Sequence, residues 1–185
     1  MITESDTETR SEDRLLAALA EQVTGPKWLS EMRGIARKRF ADLGFPSTRD
    51  EDWRFTNISP LKELEFSATE TDPSAQLESC LFGSLEGPRL VFINGFYSAE
   101  LSQIGDMPDG VQVGSVAKAL AQNESDVKNY LTSRNTDSFA SLNTACFTDG
   151  AFVQVPSGVV MGEPVRIYYL NTSSDGATSN IRSLI

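Results

Sequence analysis

Between Phe139 and Leu170, glycine and proline cut the chain into pieces too short for long elements. The stretch opens at Phe139 with what reads as a short helical turn. Asp149-Gly150 reads as a turn, Ala151 to Val155 as a strand, Pro156-Ser157-Gly158 as a break, and Val165 to Leu170 as a second strand. Gly150 and Gly158 are expected to supply positive φ at tight corners, and Pro156 and Pro164 to end or start extended segments. Val165, Ile167 and Tyr169 alternate with Arg166, Tyr168 and Leu170, so one face can turn inward. Asn171 to Asn180 holds only Asn, Thr, Ser, Asp, Gly and Ala, and reads as a loop. Ile181 to Ile185 then opens another extended run.

Short strands between Gly and Pro corners suit a coiled sheet of stacked rungs, a β-helix or solenoid. One rung cannot bury its inner face alone, so such a fold needs several. The stretch supplies about one, which reads as the front of a longer protein. The alternative is a short sheet completed by earlier strands.

At 185 residues the chain can form one domain, or a small domain with part of another. Ten Phe and two Trp within a 39% hydrophobic composition fit a globular protein. No apolar run approaches the length that spans a bilayer. The acidic, polar start, Met1 to Glu8, lacks the basic and apolar regions of a leader, so a cytoplasmic location is expected, with residues 1–10 disordered. The net charge of −10 disfavours a nucleic-acid groove and an anionic membrane surface. The one basic run, Arg33 to Arg39, reads as the solvated face of an amphipathic helix.

The chain has no histidine and two cysteines, Cys80 and Cys146. Absent histidine removes the commonest general base and metal ligand. Two distant thiols form neither a disulfide framework nor a zinc motif. A Ser-His-Asp or Cys-His nucleophile therefore cannot be assembled, and no catalytic, cofactor-binding or metal residue is assigned.

Ser11 to Gln22 reads as a helix with Ser11 as candidate cap and Leu15, Leu16, Leu19 and Val23 at helical spacing. A second helix starts at Pro26. Its apolar stripe is Trp28, Leu29, Met32, Ile35, Ala36, Phe40 and Leu43, and Gly44 is a left-handed stop. Asp50, Glu51 and Asp52 follow. Adjacent acids do not converge on one point, so they are expected to cap a helical turn and pair with Arg49, Arg54 or the preceding basic face. Trp53 and Phe55 are expected to pin this loop to the core. Thr56 to Thr71 reads as irregular, with an extended piece at Leu64 to Phe66. Pro73 to Phe82 reads as a helix with Cys80 as a core residue. Arg89 to Ile93 is a strand, Asn94-Gly95 a tight turn, and Phe96-Tyr97 its return. Pro108-Asp109-Gly110 turns into Val111 to Val113. Ser115 caps a helix through Ala121, Glu124 to Leu131 forms another, and Thr132 to Asp137 is a polar connection. Gly83 to Gly87 lacks the Lys-Ser/Thr of a phosphate loop.

Five of these motifs occur in an order that resembles the N-terminal part of the SufB/SufD family, nearer its SufD branch. They are Gly44-Phe45-Pro46 with Asp50 to Thr56; Leu90 to Phe96 with Leu101-Ser102; Pro108 to Val111; Phe139 to Leu142 with Asn143, Ala145 and Asp149-Gly150; and Glu163 to Ile167. The resemblance runs from about Trp28 to the last residue. It implies an α+β chain: an N-terminal helical and mixed domain over 1–136, then over 137–185 the first strands of a right-handed parallel β-helix, cut short. It further implies a non-catalytic subunit of the SUF iron–sulfur cluster assembly scaffold, pairing with a SufB-like subunit and a SufC-like ATPase and associated with iron entry. The family's cluster and iron ligands lie late in its β-helix, so none is carried over. Asn180, where relatives often show His, is a minor departure. Two other classes compete. A carbohydrate-active β-helix enzyme needs paired carboxylates, which Ala151 to Val155 and Val165 to Leu170 lack. A stand-alone acidic interaction module would steer a basic partner.

Overall fold

The computed structural model describes residues 11–19, 25–72, 74–75, 77, 86–131, 137–173 and 176–185. Cys80, Val23, residues 1–10, and most of the expected helix at Pro73 to Phe82 lie outside the described residues. The chain forms two compact units, one of Met1–Ala68 with Thr136–Cys146, the other of Thr69–Asn135 with Phe147–Ile185. This partition differs from a single cut after residue 136, because residues 137–146 group with the first helices.

The first unit contains α1 (Ser11–Leu19), α2 (Lys27–Leu43), 3-10 turns at Glu51–Trp53 and Ser59–Glu63, the short strand β1 (Ser67–Ala68) and α5 (Ser138–Cys146). Leu15, Leu16 and Leu19 of α1 pack with Ala36 and Phe40 of α2, with Phe45, and with Leu142, Ala145 and Cys146 of α5. The expected stripe on α2 needs correction. Its buried residues are Leu29, Arg33, Ala36 and Phe40, spaced four, three and four apart. Ile35 sits about 130° from the centre of that stripe at about 100° per residue, and it is 72% exposed. Arg33, assigned to the solvated face, is instead 7% exposed. Burial pushes its guanidinium down to about 10.

The end of α2 is tied down by both neighbouring helices. Gly44 takes φ 67° with ψ −171°, a glycine conformation but not the left-handed helical one expected, and its N–H donates to the Phe40 carbonyl at 2.7 Å. The Ser138 hydroxyl donates to the Gly44 carbonyl. The Phe45 N–H donates to Glu12 Oε1 at 3.2 Å. The Ser11 hydroxyl donates to Glu12 Oε2 at 3.0 Å, so here it serves the carboxylate of the next residue.

α5 is a full nine-residue helix rather than a turn. Asp137 caps it, its Oδ1 accepting from Ala140 N at 2.8 Å. Ser141 and Thr144 are buried on it because their hydroxyls donate back to the Asp137 and Ala140 carbonyls, at 2.7 and 2.8 Å.

In the second unit the central strand is β2 (Arg89–Ile93). It pairs antiparallel with β3 (Phe96–Tyr97) and parallel with β6 (Arg166–Leu170), in the register Arg89 with Arg166 through Ile93 with Leu170. β6 thus has an earlier strand as its parallel partner. β2 is buried on both faces. Leu90 and Phe92 pack with Ala151, Val165 and Ile167; Val91 and Ile93 pack with Leu77, Tyr168 and Leu170. Both faces of β6 therefore meet apolar neighbours, rather than one.

β4 (Gln112–Ser115) pairs antiparallel with β5 (Ala151–Gln154). Two helices follow β4: α3 (Val116–Gln122) and α4 (Glu124–Leu131), with Val116, Ala119, Val127 and Leu131 buried. β7 (Ala177–Thr178) lies within the expected loop. No described helix is long and apolar enough to cross a membrane.

Candidate functional site

Two corners organise the second unit. At the first, Asn94 and Gly95 both take positive φ, 52° and 92°, the twist a two-residue hairpin demands. Asn94 is buried, and its side chain is spent on other segments. Nδ2 donates to the Glu70 carbonyl at 2.9 Å, and Oδ1 accepts from Thr172 N at 2.9 Å. The Asn94 carbonyl accepts from the Thr69 hydroxyl at 2.7 Å. One turn residue thus ties two distant stretches of chain, 69–70 and 172, to its own.

The second corner is Asp149-Gly150. Asp149 Oδ1 accepts from Ala117 N at 2.9 Å and Gly150 N at 2.8 Å. The Ser115 hydroxyl accepts from Lys118 N at 3.2 Å, so two side chains cap α3. Burial pushes the Asp149 carboxyl above its ordinary range, against the pull of these donors. Gly150 was expected to supply positive φ. It does not; among the described residues positive φ falls at Asn94 and other glycines, Gly158 at 82° among them. Glycine is needed at 150 for space. A Cβ there would lie 2.0 Å from the Arg182 carbonyl oxygen.

That close approach comes from a parallel strand contact. Residues 180–184 run alongside 148–153, with bridges Asp149 to Ile181 and Phe152 to Leu184. Thr148 N donates to Asn180 O, Arg182 N to Asp149 O, Leu184 N to Ala151 O and Val153 N to Leu184 O, all between 2.8 and 3.0 Å. The run starting at Ile181 therefore finds its partner upstream. Tyr169 and Ser183 are joined through their hydroxyls, which links β6 to this run. β6 itself is an edge strand of its sheet.

Beside these strands lies a groove of about 400 Å³ lined by Tyr130, Phe152, Val153, Gln154, Val155, Ser183, Leu184 and Ile185. None of its lining residues carries a charge or a nucleophilic thiol. Backbone edges and apolar side chains suit recognition of another strand. Among the described residues no three of His, Cys, Asp and Glu come together as a metal site. Cys146 is buried, and burial pushes its thiol up to about 11. Asp50, Glu51 and Asp52 are exposed and are not joined as a catalytic pair. Asp50 is spent on the Ser47 N–H and hydroxyl at 2.7 and 3.1 Å. The bonds of Asn94 and the crowding at Gly150 were missed in the sequence; only their place in Asn-Gly and Asp-Gly pairs marked them.

Residues 17–167 match the family described as the SufBD protein N-terminal region. The chain belongs to the SufBD family. A SufBD family iron–sulfur cluster assembly protein of Synechocystis is 34% identical over 167 residues, 85% of this chain and 37% of the relative. The iron–sulfur cluster assembly protein SufD of Bacillus subtilis is 26% identical over 180 residues, 89% of this chain and 40% of the relative. A SufBD family cluster assembly protein of Arabidopsis thaliana is 25% identical over 198 aligned positions. This SufBD chain spans about two fifths of the length of these curated relatives. The five motifs named above begin at Gly44 and end at Ile167, inside the matched residues.

Proposed function

We propose that this chain is part of a non-catalytic scaffold subunit for iron–sulfur cluster assembly, acting with SufB-like and SufC-like partners. The observation that carries the reading is the SufBD match over residues 17–167. The site chemistry agrees with it: an edge strand and an apolar groove serve protein contact. The cluster is cargo of the assembled complex, and its ligands belong to other segments. Parallel stacking supports the β-helix part of the reading. Residues 181 and 184 stack on 149 and 152, 32 residues earlier, while β6 stacks on β2. The returns differ in length, 32 and 77 residues, but both run parallel, as a coil of rungs requires.

The test uses the complete gene product. Co-expression with SufB-like and SufC-like proteins is expected to yield a complex of fixed stoichiometry, and deleting the gene to lower the cluster content of client enzymes. A complete protein that elutes alone, with client enzymes fully loaded in the deletion strain, overturns the proposal.

A further inference from the structure

The Asp50-Glu51-Asp52-Trp53-Arg54-Phe55 stretch has no role in the reading above, and its structure is unusual for a loop. Sequence reasoning expects both aromatic rings to be pinned inward. Trp53 is half-buried, its ring 5.1 Å from that of Phe139. Phe55 is 92% exposed, with the Arg54 guanidinium 5.4 Å from its ring centroid. The backbone explains the difference. Glu51–Trp53 is a 3-10 turn, and Thr56 N donates to Trp53 O at 2.9 Å, so the chain turns again with Phe55 at its tip. Holding a phenyl ring in water forfeits the burial that most aromatic side chains gain.

Beside this turn, within the first unit, is a groove of about 340 Å³. The end of α2 (Leu43, Gly44), Pro46, the 3-10 turn and the start of α5 (Asp137, Ser138) line it. Its apolar surface is Leu43, 52% exposed, with Pro46 and the open part of Trp53. Its charge is of one sign. Asp50, Glu51, Asp52 and Asp137 line it, with no lysine or arginine among the lining residues. Asp50 and Asp137 spend oxygens on Ser47 and Ala140, which fixes those carboxylates without neutralising them. The groove beside β5 differs, since it carries no charge.

We propose that this acid-lined groove, with Phe55 as an exposed anchor beside it, docks a basic segment of a partner protein that presents alternating apolar and Lys or Arg side chains. Charge complementarity selects the occupant: four carboxylates among the lining residues repel acidic segments and attract basic ones. The aromatic and Leu43 surface sets the second requirement, because exposed apolar anchors in a polar rim mark contact surfaces. The inference stands on the first unit alone and is independent of the cluster-assembly reading.

Fluorescence anisotropy with a labelled 14-residue peptide of Leu, Trp and Lys, titrated with the 185-residue chain, tests it. The same peptide with Glu for every Lys is the control. Binding of the basic peptide only is expected, with Phe55→Ala and the pair Glu51→Gln with Asp52→Asn each weakening it at least tenfold. The pair Glu100→Gln with Asp109→Asn, matched in charge and in the other unit, is expected to change it less than twofold. Phe55 and both acids are exposed, so these variants are expected to melt within a few degrees of the parent. Amide shifts on binding are expected at residues 43–56 and 137–139. Equal weakening by the distant pair, no effect of Phe55→Ala, shifts elsewhere, or no binding at all would each overturn the proposal.

Discussion

The carbonyl oxygen of Arg182 occupies the place where a side chain at position 150 would begin, 2.0 Å from the ideal Cβ of Gly150. Neither partner is the free end of a flexible side chain; both are backbone, held by the Arg182 N to Asp149 O bond at 2.9 Å, so relief requires moving a strand. Gly150→Ala is therefore expected to lose about 3 kcal/mol or more, the upper range of overpacking. Urea melts measure it. Hydrogen exchange should show the Leu184 amide losing protection first, since the run at 180–184 is the part that can move away. A loss below about 1 kcal/mol contradicts the contact.

Asn94→Ala removes the side-chain bonds to Glu70 and Thr172 and leaves the Glu70 carbonyl and the Thr172 N–H wanting. It also forces alanine into φ 52°. The expected cost is about 2–4 kcal/mol from unsatisfied groups and left-handed strain together. Asn94→Gly relieves only the strain. The glycine variant should therefore recover part of the loss in thermal melts, and equal melting of the two variants would refute the split.

The Glu12 carboxyl lies below its ordinary value of 4.5. Burial works against ionisation there, but its own N–H, the Phe45 N–H, the Ser11 hydroxyl and Lys62 together outweigh it. A depressed value means the folded state holds its proton less tightly than the unfolded one. The stabilisation is present above pH 4.5 and is lost as pH falls through the folded value. Glu12→Gln should flatten the acid limb of the stability curve as pH falls below 4.5. An unchanged limb removes Glu12 from the account.

Cys146, raised to about 11 from 9.0 by burial, should not react with a thiol reagent at pH 8 in a Cys80→Ser background. Reaction should appear only at urea concentrations that unfold the first unit. The sign is the reverse of that for Glu12. Stability is unaffected below pH 9 and falls as pH rises toward about 11. Prompt labelling in native buffer would place the thiol at the surface instead.

What could be read from the sequence was local. The strand Arg89 to Ile93, the Asn94-Gly95 turn, the Ser115 cap and the helix from Glu124 to Leu131 each rest on residues within a few positions, and the structure has them there. What could not be read was non-local. Nothing near Arg166 announces that it lies beside Arg89 in a parallel pair. Arg33 carries a charge that argues for water, yet its place between Leu29 and Ala36 puts its stem on the core face. Phe55 argues for burial, and a second turn defeats it. The groove beside Trp53 needed α5, whose membership in the first unit depends on contacts across residues 69–135 of intervening chain.

That interruption sets an order for synthesis. Residues up to Ala68 leave the ribosome without α5, so Leu15, Ala36 and Phe40 wait for Leu142, Ala145 and Cys146. At about 5–20 residues per second, the wait across the intervening stretch is roughly 3–13 s. During that interval an incomplete apolar surface faces water or a chaperone. A nascent chain arrested before Asp137 is expected to be protease-sensitive in α2, and one arrested well past Cys146 to be protected there.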